Sequence, residues 1–373
     1  MMLTSNPEAT TKRPPEAHAR PARTKPPPSR RLVAGLAFDR IGAVYVWLGI
    51  IALFALWVPD TFPNVGTAKQ ILNSNAITGL AALSITIPLA ARVFDLSFAG
   101  VMTLTGVAVA HFLAKDGIPL VPAVALALAI GLGVGLINAI VVVVMRIDSF
   151  IGTLATGSLI TALITMVTNE TPITDAKLGG AFAKIGQTSV GGVTLGVFYC
   201  AAVAVAIWYL LEHTATGRRL YATGFNADAA RLAGVNVDRL RFMSLVASGG
   251  LAGAAGVVLA STLASGSPTA GSPYLLPAFA AAFLGATQLK HGRFNAGGTI
   301  IAVLLLGTGV TGLALANAPS WAGDMFVGVV LIAALAVTGM QRRTTVTSPR
   351  RSLRVGRGGG KPEAIAGSAP VAR

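Results

Sequence analysis

The chain has 373 residues, 53% of them hydrophobic and only 12% charged, and carries a formal net charge of +15. A soluble globular domain would hold about 25% charged residues, so this composition excludes one. The positive charge does not mark a nucleic-acid binder either, because the basic residues are dealt out between apolar windows rather than gathered on one patch.

Residues 1–31 are rich in Pro and Arg and contain no apolar region, so they do not form a cleavable signal peptide. Residues 1–40 read as a disordered basic cytoplasmic tail, and 342–373 as a second one. Between them, 41–341 is expected to be one transmembrane domain. Apolar windows fall near 41–58, 71–91, 96–113, 119–144, 150–168, 193–212, 242–263, 275–286, 297–316 and 322–340. Lipid forces each crossing segment to pair its own backbone, and a crossing takes about 20 residues. The predicted fold is therefore all-α: a polytopic membrane helical bundle of about ten transmembrane helices, some short or interrupted. The window at 275–286 contains Pro277 and is too short to cross unless other helices bury it.

With residues 1–40 inside, the loops alternate and the cations sort with them. Arg92, Arg146, Arg218, Lys290, Arg293 and both tails fall inside, while the outer loops keep only Lys69, Lys115, Lys177 and Lys184. This asymmetry places both termini in the cytoplasm and the long loop 169–192 outside. Basic tails at a membrane surface are suited to anionic lipid. The single cysteine, Cys200, lies in an apolar window, so no intrachain disulfide forms.

Two charged interruptions break the apolar pattern, at 92–97 and at 288–295. Short or interrupted spans in corresponding positions of two halves point to a translocation path. The candidate path residues are Phe94, Asp95, Ser97, Asn138, Thr153, Phe279, Phe283 and Gln288. Asp95 reads as a structural pair or cap, with Arg92 three residues away, or as a pathway group. Asn138 suits either an interhelical hydrogen bond or a polyol. The phenylalanines suit either the core or the apolar face of a sugar ring. Gly131, Gly133 and Gly135 would let two helices approach closely.

The stretch 216–239 is a charged island between apolar windows. Asn226 is placed to cap a short helix through Leu232, and Gly234 suits the left-handed residue that ends one. Gly217-Arg218, Leu220-Tyr221-Ala222, Gly224, Asn226, Ala229-Ala230-Arg231-Leu232 and Gly234 resemble the cytoplasmic signature of sugar-type ABC importer permeases, such as those for ribose, xylose and galactose. More distantly they resemble nucleoside and branched-chain amino-acid permeases. Asp95-Leu96-Ser97 and the 135–154 junction extend the likeness, although Arg92 and Val93 stand where that family usually has two glycines.

The resemblance implies a coupling region at about 213–241, seated in a groove of a separate cytoplasmic ATPase subunit through Gly217, Arg218, Gly224, Asn226, Ala229, Ala230, Arg231, Leu232 and Gly234. It also implies an extracytoplasmic solute-binding protein, a second permease subunit (identical or different), and a multi-pass place in a bacterial plasma membrane. The expected cargo is a neutral sugar or polyol moved by alternating access. Nucleosides and branched-chain amino acids are the alternatives.

No Gly-x-x-x-x-Gly-Lys-Ser/Thr loop occurs, and Gly358-Gly-Gly-Lys361 is followed by Pro362, so Mg-ATP belongs on the partner ATPase and no cofactor on this chain. His18, His111, His213 and His291 show no metal-ligand spacing, and no nucleophile elbow is present, so neither a catalytic nor a metal site is expected. A membrane-embedded enzyme or lipid-handling protein would need clustered catalytic groups, and an ion-coupled carrier would need ionisable residues inside several spans. The windows supply neither.

Overall fold

The computed structural model describes residues 38–288 and 292–346, with side chains for 44–287 and 292–333. Thirteen helices follow one another through the described residues: α1 Phe38–Trp57, α2 Val65–Ala90, α3 Phe98–Ala114, α4 Leu120–Ala139, α5 Ser149–Thr168, α6 Lys184–Gln187, α7 Leu195–His213, α8 Ala215–Phe225, α9 Ala227–Leu232, α10 Val237–Leu263, α11 Leu275–Gln288, α12 Ala296–Leu315 and α13 Ser320–Val346. Helix α1 starts inside the region read as the first tail, and α13 runs four residues past the 342 boundary. Otherwise the two tails lie outside the described residues.

Six helices are long and apolar enough to cross a membrane, and four more are shorter apolar helices. Together they fall on the ten windows, and the chain is an all-α membrane bundle. The helix starts were chemically marked: Asn64, Asp148, Thr214, Asn226, Asn236 and Asn295 each accept a backbone N–H of the following first turn.

Small residues decide which helices sit in the middle. Within the best membrane window, 67% of α2 and 61% of α10 is buried inside the protein, against 22% of α7, so α2 and α10 are central and α7 is rim. Helices α4 and α10 cross where a Cβ on Gly131 would come within 2.8 Å of the Gly249 carbonyl, and one on Gly135 equally close to that of Leu245. Gly133 faces open space and takes no part in the crossing, contrary to the expectation for all three. Helix α11 is short because it is enclosed: Ala278, Ala280, Ala281 and Ala282 have no exposed surface.

A further break, the uncharged one at 264–274, shares features with that at 91–97. Helices α2 and α10 are the 26- and 27-residue spans. Each ends near a left-handed non-glycine residue, Arg92 (φ 55°) or Ala264 (φ 49°), and each precedes a shorter apolar helix. Reading by charge passes over 264–274, which contains no charge to see. Its backbone runs along α3 from Gly266, beside Val107 and Ala110, to Gly271, beside Ala99. Those contacts span eleven residues of α3, about 16 Å at 1.5 Å rise per residue. Lipid tolerates such backbone only where protein encloses it, and here Thr103 Oγ1 accepts the Gly271 N–H at 3.0 Å.

The loop 169–192 is more ordered than a plain connector. Ile173 and Gly266 exchange backbone hydrogen bonds, a small hairpin pairs Ser189–Val190 with Val193–Thr194, and Leu178 and Phe182 are buried. Gln187 donates to the Thr262 carbonyl, which fastens the loop over the end of α10.

Candidate functional site

The first break is held by a closed polar network. The Asp95 carboxylate accepts the Ser97 amide at 3.0 Å, the Ser97 hydroxyl at 2.7 Å and the Ser248 hydroxyl of α10 at 2.7 Å. Asn138 of α4 donates to Ser97 Oγ at 2.7 Å. Two further break amides are taken by α5: Phe94 N donates to Ser149 Oγ and Leu96 N to Thr153 Oγ1. Asp95, Ser97, Asn138, Thr153 and Ser248 all have no exposed surface. Four of the path candidates are therefore fixtures that bind the break to α4, α5 and α10. The side-chain partners of Asp95 are hydroxyls, while the Arg92 side chain lines a separate cavity. The Oδ1 atom of Asn138 is buried without a hydrogen-bond partner among the described residues.

The aromatic candidates behave differently. Phe94 stacks on Phe283 at 6.3 Å between centroids, Phe283 on Phe279 at 6.3 Å, and Phe279 meets the edge of Phe98 at 5.8 Å. Phe150 extends the row beyond Phe94, and Phe294 branches from it at Phe283. Phe94, Phe279 and Phe283 are only half-buried, so the row presents ring surface at the flank of the subunit as well as to the core. The row joins α11 to the first break. Helix α11 also contains Gln288 in its last turn, whose side chain lies outside the described residues, as do Lys290 and His291.

The island folds as two short helices rather than one. Helix α8 packs inward: Leu220 and Thr223 are buried, a Cβ on Gly217 would strike the Leu210 and Leu211 carbonyls, and one on Gly224 would strike the Ala90 carbonyl. Gly217, Gly224 and Ala230 thus seat the island on the bundle rather than offering surface. The six-residue α9 is the expected one, capped by Asn226 Oδ1, which accepts from Asp228 N and Ala229 N, and closed by Gly234 at φ 80°. Arg231 bridges Asp228 and Asp238, stiffening the turn into α10. Arg218, Asn226, Ala229, Leu232 and Gly234 are exposed. At the tip, Phe225 is 84% and Leu232 91% exposed, two large apolar side chains on an otherwise polar island.

Sequence reasoning missed the residue that connects island and break. The single proton of the Tyr221 hydroxyl is shared between the Phe294 carbonyl at 3.0 Å and Glu212 Oε1 at 3.2 Å, and the Arg293 guanidinium lies 5.1 Å over its ring. Burial, reinforced by the Glu212 carboxylate, pushes the Tyr221 phenol well above its ordinary range, so it stays a donor. Phe294 in turn stands edge-on to Phe283 at 5.3 Å. Gly224 meanwhile lies on the end of α2, just before the first break. Tyr221 was visible within the island's motif, but nothing in the sequence tied it to 292–295. Ser248, in an apolar helix, gave no signal of its Asp95 contact.

Residues 67–335 match the family described as branched-chain amino acid transport system, permease component. The ribose import permease protein RbsC of Escherichia coli K12 is 34% identical over 292 residues, which is 78% of this chain and 90% of that protein. Its counterpart in Haemophilus influenzae Rd is 31% identical, over 69% of this chain and 80% of the relative. The L-arabinose transport system permease protein AraH of Escherichia coli K12 is 32% identical, over 81% of this chain and 90% of the relative. On the span of the family match and the identity of these relatives, the chain belongs to this family of transport permease subunits and stands among its sugar importers.

Proposed function

We propose that this chain is the membrane subunit of an importer that takes a neutral sugar or polyol from an extracytoplasmic binding protein and releases it into the cytoplasm of a bacterium. The observation that carries the coupling half of this reading is the island's tip. Phe225 and Leu232 are almost fully exposed on a short helix that is capped, ion-paired and seated by glycines on the bundle. Exposed apolar side chains on a rigid polar mount suit insertion into a groove of another protein. A separate ATPase subunit, which would hold Mg-ATP, fits that groove. Both termini then lie on its side of the inner membrane, and the fastened loop 169–192 faces the binding protein.

Motion at the tip has two routes inward. Through Tyr221 and Phe294 it reaches Phe283 and the aromatic row, and through Gly224 it reaches the end of α2 and the Asp95 break. The row's half-open ring faces suit the apolar face of a sugar, and a second permease subunit would complete the passage. Relatives named for ribose and L-arabinose support a sugar over an amino acid. A row of phenylalanine rings also offers no counter-ion for the charges of a zwitterion.

The test is reconstitution in liposomes with the cognate ATPase and binding protein, measuring ATP-dependent uptake of labelled ribose, arabinose, xylose, a nucleoside and leucine. Uptake of a sugar is expected. Uptake of leucine alone would replace the sugar reading with the amino-acid one. A thermal-shift screen of the binding protein against the same solutes should select the same compound.

A further inference from the structure

The segment 264–274 is held at both ends by contacts that a plain connector does not need. At its outer end the Ile173 N–H donates to the Gly266 carbonyl at 3.0 Å, and the Gly266 N–H donates back to the Ile173 carbonyl at 2.9 Å. At its inner end Thr103 Oγ1 of α3 accepts the Gly271 N–H and donates to the Ala99 carbonyl, both at 3.0 Å. A Cβ on Gly271 would strike that same carbonyl, so the segment lies flush on α3 there.

Between the two anchors the chain is stiff. Pro268 and Pro273 fix φ at two positions. Ala270 N donates to the Ser267 carbonyl, Ser272 N to that of Thr269 and Tyr274 N to that of Gly271. A segment restrained in this way passes a displacement on instead of absorbing it.

The anchors also join two different parts of the molecule. Outside is the loop 169–192, whose Lys177 donates to the Ala114 carbonyl at the end of α3 and whose Gln187 donates to the Thr262 carbonyl at the end of α10. Its buried Leu178 and Phe182 hold it down, while most of its other residues are exposed. Inside, Gly271 leads through the turn Ser272–Tyr274 straight into α11, whose Phe279 meets the edge of Phe98. Phe98 and Thr103 are about a turn apart on α3, so the Gly271 bond and the Phe98–Phe279 contact fasten α11 to the same stretch of one helix.

We propose that 264–274 sets the aromatic row from outside: seating of the extracytoplasmic binding protein on the loop 169–192 passes through the Ile173–Gly266 pair to Gly271 and there shifts the start of α11 and its Phe98–Phe279 contact. Thr103 is the positioning residue of this route. It is buried and stands away from the half-open ring faces, and it acts by fixing where α11 begins. The proposal rests on the importer reading, with this loop on the outer side. The route is separate from that of Tyr221, which enters the row through Phe294 and Phe283. Phe279 and Phe283 are neighbours one turn apart on α11, so binding protein and ATPase act on adjacent rings.

The test uses the full complex in liposomes, with the cognate ATPase and the sugar-loaded binding protein. It reads the affinity of the binding protein for the complex and the uptake that the binding protein stimulates. Thr103→Val keeps the side-chain shape, removes the acceptor and lies away from the loop surface. Affinity should stay within about twofold, as expected for a distant site. Stimulated uptake should fall at least about fivefold, the scale of one lost hydrogen bond. Thr103→Ser should restore it. Ile173→Pro removes the outer N–H and should lower uptake in the same way. The double variant should lose no more than the worse single one, because both cut a single route. Normal stimulated uptake in Thr103→Val at normal insertion overturns the proposal, as does failure of Thr103→Ser to rescue. Losses that multiply in the double variant also overturn it, since they mark two separate defects. Should Ile173→Pro reduce inserted protein, the Thr103 variants decide alone. A wild-type complex with no response to its binding protein would bring down the importer reading itself, and this proposal with it.

Discussion

The hydroxyl of Tyr221 offers the sharpest test of how the island is connected to the passage. Tyr221→Phe removes one oxygen and keeps the ring, so the Arg293 stack at 5.1 Å, worth about 0.5–1 kcal/mol, survives. One hydroxyl proton goes, shared between the Phe294 carbonyl and Glu212. A bond to a neutral acceptor contributes about 0.5–1.5 kcal/mol and one to a charged acceptor about 1.5–3. Glu212 is only half-buried, which screens its share, and the shared bond comes to about 2 kcal/mol at most. At 1.36 kcal/mol per tenfold, the contact between α8 and 292–295 weakens at most roughly thirtyfold. The loss falls on a joint rather than on the core, so inserted protein should be unchanged. In liposomes with ATPase and binding protein, solute imported per ATP hydrolysed should fall by about five- to thirtyfold. Tyr221→Ala, which also removes the stack, should fall further. Because burial holds the phenol protonated, the wild-type ratio should not change as pH rises toward the ordinary phenol value of about 10. An unchanged ratio in both variants, at normal insertion, refutes transmission through this joint.

Three other outcomes follow from the geometry. Asp95→Ala strands the Ser97 amide and two hydroxyls in a sealed interior, and inserted yield should drop by the equivalent of about 2–5 kcal/mol, between the weak membrane average and the cost for charged acceptors; Asp95→Asn, which keeps an acceptor, should retain most of the yield in a fluorescence-detected size-exclusion assay. Ala229→Glu and Leu232→Asp place charge on the exposed tip and should abolish uptake while leaving insertion intact, so normal uptake in both would remove the docking reading. Phe279→Ala and Phe283→Ala should cut labelled-sugar uptake more than they cut folded yield; parallel losses would make the row core alone.

How much of this was legible in the residues depends on range. Helix positions followed from apolar length, and the cap at Asn226 was readable from a few neighbours, while the cap at Asn295 was an equally local signal that went unread. The island's short helix and its glycine stop were local in the same way. What failed was long-range. The likeness between the breaks at 91–97 and 264–274 is set by helix length and backbone handedness, and neither leaves a mark in an uncharged Ser-, Gly- and Pro-containing stretch.

The site divides along the same line. Asp95 stood out because a carboxylate beside apolar residues always does, yet its partners are separated from it by up to 153 residues and are ordinary hydroxyls. Charge drew attention to Arg92 as a partner, whereas packing had turned that side chain to the cavity. Tyr221 stood in the island's motif, but its contact was hidden for the opposite reason: its bond is to a backbone carbonyl 73 residues on, and every residue type supplies one. Residues that touch a partner protein must be exposed and can be read from composition, but those that carry motion inward act through carbonyls and ring edges. The sequence of a permease therefore shows where force enters more readily than where it goes. The Tyr221–Phe294–Phe283 contacts let that second half be put to experiment.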